Sequence, residues 1–219
     1  MLSFLLDRDP AKELNLLCLG AHSDDIEMGC GGTVLSLAGR FPKLNVTWVV
    51  FSGDGGREKE ARQSADMFLK NVGGRREVII RSFRDGYFPY PGDQVKDSFE
   101  ELKSSSAPDV ILTHCCNDAH QDHRLICELT WNTWRDHLIL EYEVPKWDGD
   151  LGQPNCYLPL TKELAEKKVD YIMKCFGSQR NRHWFTEELF FSMMRIRGME
   201  ARAPESYAEA FYARKLTLY

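Results

Sequence analysis

No stretch of the chain approaches the roughly 18 consecutive apolar residues that cross a bilayer, so no integral membrane segment is expected. Excess positive charge is missing as well. Twenty-eight Lys and Arg stand against 33 Asp and Glu, a net charge of -5. That balance excludes nucleic acid or an anionic membrane as a partner held by bulk electrostatics, although a local basic pocket stays compatible with it. Met1 to Asn15 carries Asp7, Arg8, Asp9, Lys12 and Glu13 and lacks a basic stretch followed by a long apolar one, so no signal peptide is expected. The seven cysteines form no C-x-x-C pair, and Cys18, Cys127 and Cys175 sit inside apolar segments. That pattern suits reduced thiols in a cytoplasmic protein better than a disulfide framework. Repeats, low-complexity tracts and linkers are absent too, and 219 residues suffice for one sizeable core but hardly two. The expectation is one domain over residues 1–219.

Within those bounds, apolar strand-like runs alternate with amphipathic helical segments. Strands are expected over Asn15–Gly20, Asn45–Phe51, Glu77–Arg81, Pro108–His114 and His137–Glu143, with a short one at Cys156–Leu158. Helices are expected over Thr33–Gly39, Arg57–Asn71, a segment ending near Ser104, Arg124–Arg135, Lys162–Phe176 and Phe185–Arg197. Gly29, Gly31 and Gly32 read as a turn leading into the first helix. The C-terminal stretch Ala208 to Lys215 receives no assignment. Alternation through the first 135 residues implies an α/β fold. It would be Rossmann-like, with three α/β/α layers around a mostly parallel sheet. Sites in such sheets gather beyond the carboxyl ends of the strands.

Two polar clusters occupy that position. Ala21-His22-Ser23-Asp24-Asp25-Ile26-Glu27 follows the first strand, and Asn117-Asp118-Ala119-His120-Gln121-Asp122-His123 follows the fourth. His22 and Asp25 are three residues apart in a tight loop and can face one point. Neighbouring Asp24 and Asp25 point in different directions, so one can hold a cation while the other stays free beside it. A helix-capping role is the plainer use of such a pair, but it leaves His22 and the second cluster unexplained. One histidine of the His120/His123 pair can complete a His-His-carboxylate set that leaves a coordination position for water. The other can polarise a carbonyl or donate a proton. His114, at a strand end, suits either the core or a supporting position behind the site. His137 and His183 lie outside both clusters and read as structural, and no ligand role is expected of adjacent Cys115 and Cys116.

The first cluster resembles the AHPDDxE signature of the LmbE/PIG-L family of metal-dependent de-N-acetylases. The second, from Thr113-His114 through Asp118 to His123, is similar to that family's HxxH motif with an intervening Asp. The resemblance covers Asn15 to about Glu143. It implies that His22, Asp25 and His123 bind Zn2+, with Fe2+, Mn2+ or Co2+ fitting the same donors. It further implies that Asp24 is the general base and that His120 stabilises the oxyanion or assists the leaving amine. Asp122, with His114, would support a histidine ring from behind. Arg57, in the loop after the second strand, would hold the sugar or its phosphate. Where the family has proline this chain has Ser23, which removes a restraint on φ and leaves the loop's rigidity open.

The expected activity is removal of the N-acetyl group from an N-acetylated amino sugar or its nucleotide or phosphate conjugate. Two alternatives stay open: a metal-dependent amidase acting on another small conjugate, and a non-catalytic metal- or carbohydrate-binding protein. A small-molecule substrate is the expected partner, and a homo-oligomer stays open. Tyr87, Phe88 and Tyr90 read as loop packing or a subunit contact more readily than as a lid. Gln179 to Trp184 reads equally as a phosphate contact or as plain surface.

Overall fold

Seven strands form one sheet in the order β3-β2-β1-β4-β5-β7-β6. The chain runs β1 (Leu14–His22), α1 (Asp25–Arg40), β2 (Leu44–Ser52), α2 (Gly55–Phe68), β3 (Arg76–Ile80) and α3 (Gly92–Ser105). It continues with β4 (Val110–His114), α4 (Gln121–Thr133), β5 (Leu138–Tyr142), β6 (Cys156–Leu160), α5 (Lys162–Cys175), α6 (Glu187–Ala201) and β7 (Tyr207–Ala213). This computed structural model describes Asp9 and residues 11–217, so most of the segment behind the signal-peptide expectation lies outside the described residues. No described helix is long and apolar enough to cross a membrane.

β1 to β5 are mutually parallel, while β7 runs antiparallel to both β5 and β6. The mostly parallel α/β architecture is therefore as the alternation predicts. Side chains alternate across β1: Leu14, Leu16 and Cys18 enter the core under α1, α2, α5 and α6, whereas Leu17, Leu19 and Ala21 face α3 and α4. Both faces of the central strands are buried, which explains their almost unbroken apolar runs. Thr161 and Thr186 accept the Leu164 and Leu189 amides and so fix the starts of α5 and α6. Pro159 lies in β6, an edge strand, where a missing amide is tolerated.

Two elements differ from the sequence expectation. α1 begins at Asp25 rather than Thr33, and the glycines lie inside it, around a departure from helical geometry at Cys30 (φ -144°). They are there for close packing: a Cβ on Gly29 would stand 2.1 Å from the Tyr142 ring, and one on Gly31 2.5 Å from Phe68. The unassigned C-terminal stretch forms β7, inserted between β5 and β6.

Sheet order determines where a ligand can approach. From β1 the chain proceeds outward to β2 and β3, and β4 then returns to the other side of β1. The connections therefore diverge above the β1/β4 pair and open a crevice there.

Candidate active site above β1 and β4

His22 ends β1 and His114 ends β4, so the two polar clusters reach the crevice from adjacent strands. Asp24 and Asp25 open α1, and His120, Asp122 and His123 open α4. His22, Asp24, Asp25, Arg57, His120 and His123 all line one cleft of about 330 Å³. Asp122 and His114 lie behind that wall, fully buried.

Three atoms converge. His22 Nδ1 lies 3.1 Å from His123 Nε2, and Asp25 Oδ2 lies 3.3 Å from the first and 3.4 Å from the second. Ligands of a tetrahedral ion at ordinary zinc–nitrogen distances are separated by about 3.3 Å. The outer nitrogens explain why the inner ones face one another. His22 Nε2 lies 3.2 Å from Asp122 Oδ2 and 3.0 Å from Asp85 Oδ1, and His123 Nδ1 lies 2.9 Å from Asp118 Oδ2. With the outer nitrogens protonated toward those carboxylates, both inner lone pairs and the Asp25 oxygen meet at one point with no donor among them. That donor set suits a divalent cation.

Without a cation the same crowding shifts the titrations. Burial works to lower His22, but Asp25, Asp122 and Asp85 together hold it well above the ordinary histidine value. Burial also opposes charge on Asp25, yet the three histidines His123, His114 and His22 bring it well below the usual carboxylate range. His114, buried and stacked on the His123 ring at 3.9 Å, is pushed down to about 4 by burial and by the His123 charge. Its Nε2 accepts the Ala21 amide at 2.9 Å and lies 3.2 Å from Asp25 Oδ2.

Asp24 stands beside this centre. Its Oδ1 accepts from Arg57 Nη2 at 3.0 Å, and burial raises its pKa while the guanidinium opposes the rise. Arg57 also lies 3.5 Å from Asp85. The arginine expected to face substrate is thus engaged with two carboxylates on the cleft wall. His120 is half-buried, and its Nδ1 accepts the Asp122 amide at 3.3 Å, which leaves the ring proton of the neutral form on Nε2. Burial and the neighbouring His123 and His22 lower its pKa.

Several participants received no site role from the sequence reading, although Asp118 stood within the second cluster. Asp85 lies in the aromatic, proline-rich loop, and nothing adjacent marked it. Asp118 orients His123 and also pairs with Lys146 at 3.0 Å; Lys146, just past β5, pairs again with Asp150 at 2.6 Å. A strand-end position was the available signal for Lys146. Phe88 is buried against His22 and Phe83, while Tyr90 is 82% exposed. Ser23 is buried and donates to the Ser52 carbonyl at 3.4 Å, so a hydrogen bond to β2 holds the loop where proline is absent. Gln179, Arg182 and Trp184 line the same cleft, together with Trp147.

Known proteins share the fold and part of the sequence. The chain is 28% identical over 145 residues to the uncharacterized deacetylase YaiS of Escherichia coli K12, covering 61% of this chain and 76% of that one. The fold matches N,N'-diacetylchitobiose deacetylase from Pyrococcus horikoshii at a TM-score of 0.71 and 20% identity, over 91% of this chain and 83% of that one. It also matches the 4-carboxy-2-hydroxymuconate hydratase GalB from Pseudomonas putida KT2440 at a TM-score of 0.73 and 16% identity, over 94% and 98% of the two chains. A deacetylase and a hydratase share this architecture, so the fold by itself leaves the reaction open. Residues 17–134, more than half of the sequence, match the PIG-L family described as GlcNAc-PI de-N-acetylase, and the chain belongs to that family.

Proposed function

We propose that this protein hydrolyses the N-acetyl group of an N-acetylated amino sugar or its nucleotide or phosphate conjugate, releasing acetate and a free amine. The observation that carries the proposal is the convergence of His22 Nδ1, His123 Nε2 and Asp25 Oδ2 within 3.4 Å of one another, with Asp24 next in sequence to one of them. In this reading His22, Asp25 and His123 hold a divalent metal, zinc by default, which when bound acidifies a water molecule and polarises the amide carbonyl. Asp24 is the general base. Arg57 opposes the rise that burial imposes on its carboxyl and occupies Oδ1, so the proton of the attacking water is taken at Oδ2. His120 directs its Nε2 proton at the oxygen that becomes negative as the carbonyl turns tetrahedral. Collapse breaks the C–N bond, and the proton held by Asp24 passes to the departing nitrogen. Asp122 and Asp118 fix the rings of His22 and His123, and His114 holds the Ala21 amide beside His22 from below. Arg57, paired with Asp24 and Asp85 on the cleft wall, borders the bound sugar conjugate without taking up its charge. All seven cysteines are unpaired, which supports a reducing, cytoplasmic setting.

The experiment is metal content together with amine release for wild type and Asp24→Asn, across N-acetylated amino sugars and their phosphate and nucleotide conjugates. The expected result is stoichiometric metal in both proteins, with amine from the wild type only. A loss of about 10²–10⁴-fold in the variant is the usual scale for a general base. Bound metal without amine from any sugar would overturn the deacetylase assignment and turn attention to other amides or to hydration. Absence of metal after reconstitution would remove the basis of the mechanism.

A further inference from the structure

At the mouth of the cleft, Trp147 is 61% exposed, unusual for the largest apolar side chain. The Arg182 guanidinium lies over its ring at 5.9 Å, and the His183 ring meets it edge-on at 5.0 Å. Both Trp147 and Arg182 line the cleft that holds His22, Asp24 and His120. The other two cations of that cleft are occupied: Arg57 by Asp24 and Asp85, and Lys146 by Asp118 and Asp150. Arg182 makes no ion pair among the described residues. Asp148 is the nearby acid on the rim, 4.0 Å from Lys146.

The supporting segments are anchored. The turn before Arg182 is tied to α2 by Ser178, whose amide and hydroxyl donate to Glu60 at 2.8 and 2.6 Å. Beyond it, Phe185 is buried in the core and Thr186 caps α6. The Trp147 loop is pinned by Lys146, the residue before it, through Asp118 to the ring of His123. An aromatic platform and an uncommitted planar cation are therefore held at a fixed position relative to the reacting centre.

We infer that Trp147 and Arg182 form a subsite for an anionic substituent of the substrate, with the indole carrying the sugar ring and the guanidinium taking a phosphate or carboxylate. The inference rests on the deacetylase reading and narrows it to charged amino sugars. Arginine's forked donors match both oxyanions in a bidentate manner. The cation–π contact with Trp147 at 5.9 Å keeps the guanidinium near the platform and limits the ordering it must undergo on binding.

The test compares amine release from N-acetylglucosamine, N-acetylglucosamine 1-phosphate and N-acetylmuramic acid. The wild type is expected to show kcat/KM at least about tenfold higher for one of the anionic sugars than for the neutral one, the scale of one charge-assisted contact. The phosphate and carboxylate arms identify which anion is read. Arg182→Gln is expected to bring that ratio to about one through KM, while Arg62→Gln, an exposed arginine on α2, leaves it unchanged. Trp147→Ala is expected to raise KM for all three sugars, with Trp147→Phe restoring most of the loss. Neither Trp147 nor Arg182 is buried, so neither substitution threatens folding. A wild-type ratio near one, or a ratio unaffected by Arg182→Gln, would overturn the inference while leaving deacetylation intact. Calorimetric binding of glucosamine 1-phosphate against glucosamine separates the two claims. Tighter binding of the phosphate, lost in Arg182→Gln, in a protein that releases no amine sustains the subsite and defeats the deacetylase reading. Equal binding of the two defeats the subsite.

Discussion

His22 and His123 each spend one ring nitrogen on a carboxylate, and that choice determines where the other nitrogen points. Sequence adjacency suggested that Asp122 would serve a histidine ring from behind, with His123 its neighbour. On a helix, neighbouring residues diverge by about 100°, so Asp122 turns to His22 across the strand gap and Asp118 takes His123 from the loop. Asp122 also accepts the Gly86 and Phe88 amides at 2.7 and 3.1 Å, so it secures the loop that carries Asp85. Asp118→Asn separates orientation from ligation, because every atom of the proposed ligand set stays in place. The amide cannot stabilise a charged ring and leaves Lys146 with one partner fewer. Metal affinity is expected to fall by about 10–100-fold, the scale seen when such supporting carboxylates are lost. Competition against a chelator, with folding followed by circular dichroism, reads the effect. Unchanged affinity would mean that the Asp118–His123 contact does not orient the ring.

At the scale of elements, α1 shows what local patterning can and cannot report. Three glycines in four positions look like a turn when only neighbours in sequence are considered, because glycine weakens a helix by roughly 0.5–1 kcal/mol. Their purpose lies in residues distant in sequence, Tyr142 on β5 and Phe68 on α2, whose rings occupy the space a methyl group would need. The strands before both clusters were legible because burial on two faces writes itself as continuous apolar runs. The helix start was not, since its cause is tertiary. Gly29→Ala places Cβ 2.1 Å from Tyr142 Cδ2, and that ring is fixed by a 2.7 Å hydrogen bond to the Leu19 carbonyl. A loss of about 1–3 kcal/mol is expected from such overpacking. Gly39→Ala in the last turn of the same helix meets nothing within 4 Å and is expected to stabilise by about 0.5–1 kcal/mol. Urea midpoints measure both, and equal effects of the two substitutions would contradict the packing explanation.

For the molecule as a whole, the first 142 residues supply the five parallel strands and every atom of the proposed ligand set, yet the platform closes only through the C-terminal strand. β7 passes between β5 and β6, and Glu209 on it reaches beneath α1, accepting the Gly32 amide at 2.8 Å and the Thr33 amide and hydroxyl at 2.6 Å. Lys168 on α5 donates to the same carboxylate at 2.6 Å and to the Met28 carbonyl at 2.7 Å. One buried pair thus joins α1, α5 and β7 just below the turn that presents His22 and Asp25. Neither residue was distinguishable in the sequence, because 41 positions and a whole helix separate them and each alone looks like an ordinary surface charge. Lys168→Met removes the cation and leaves a buried carboxylate against two amides and a hydroxyl, with the Met28 carbonyl stranded. The expected cost is about 3–5 kcal/mol, the range for breaking a buried pair from one side. Adding Glu209→Gln removes the uncompensated charge and should recover part of that loss, a coupling that a double-mutant cycle in urea measures directly. If Lys168→Met cost less than about 1 kcal/mol, the joint would be dispensable, and β7 would be held by its strand pairing and apolar face alone.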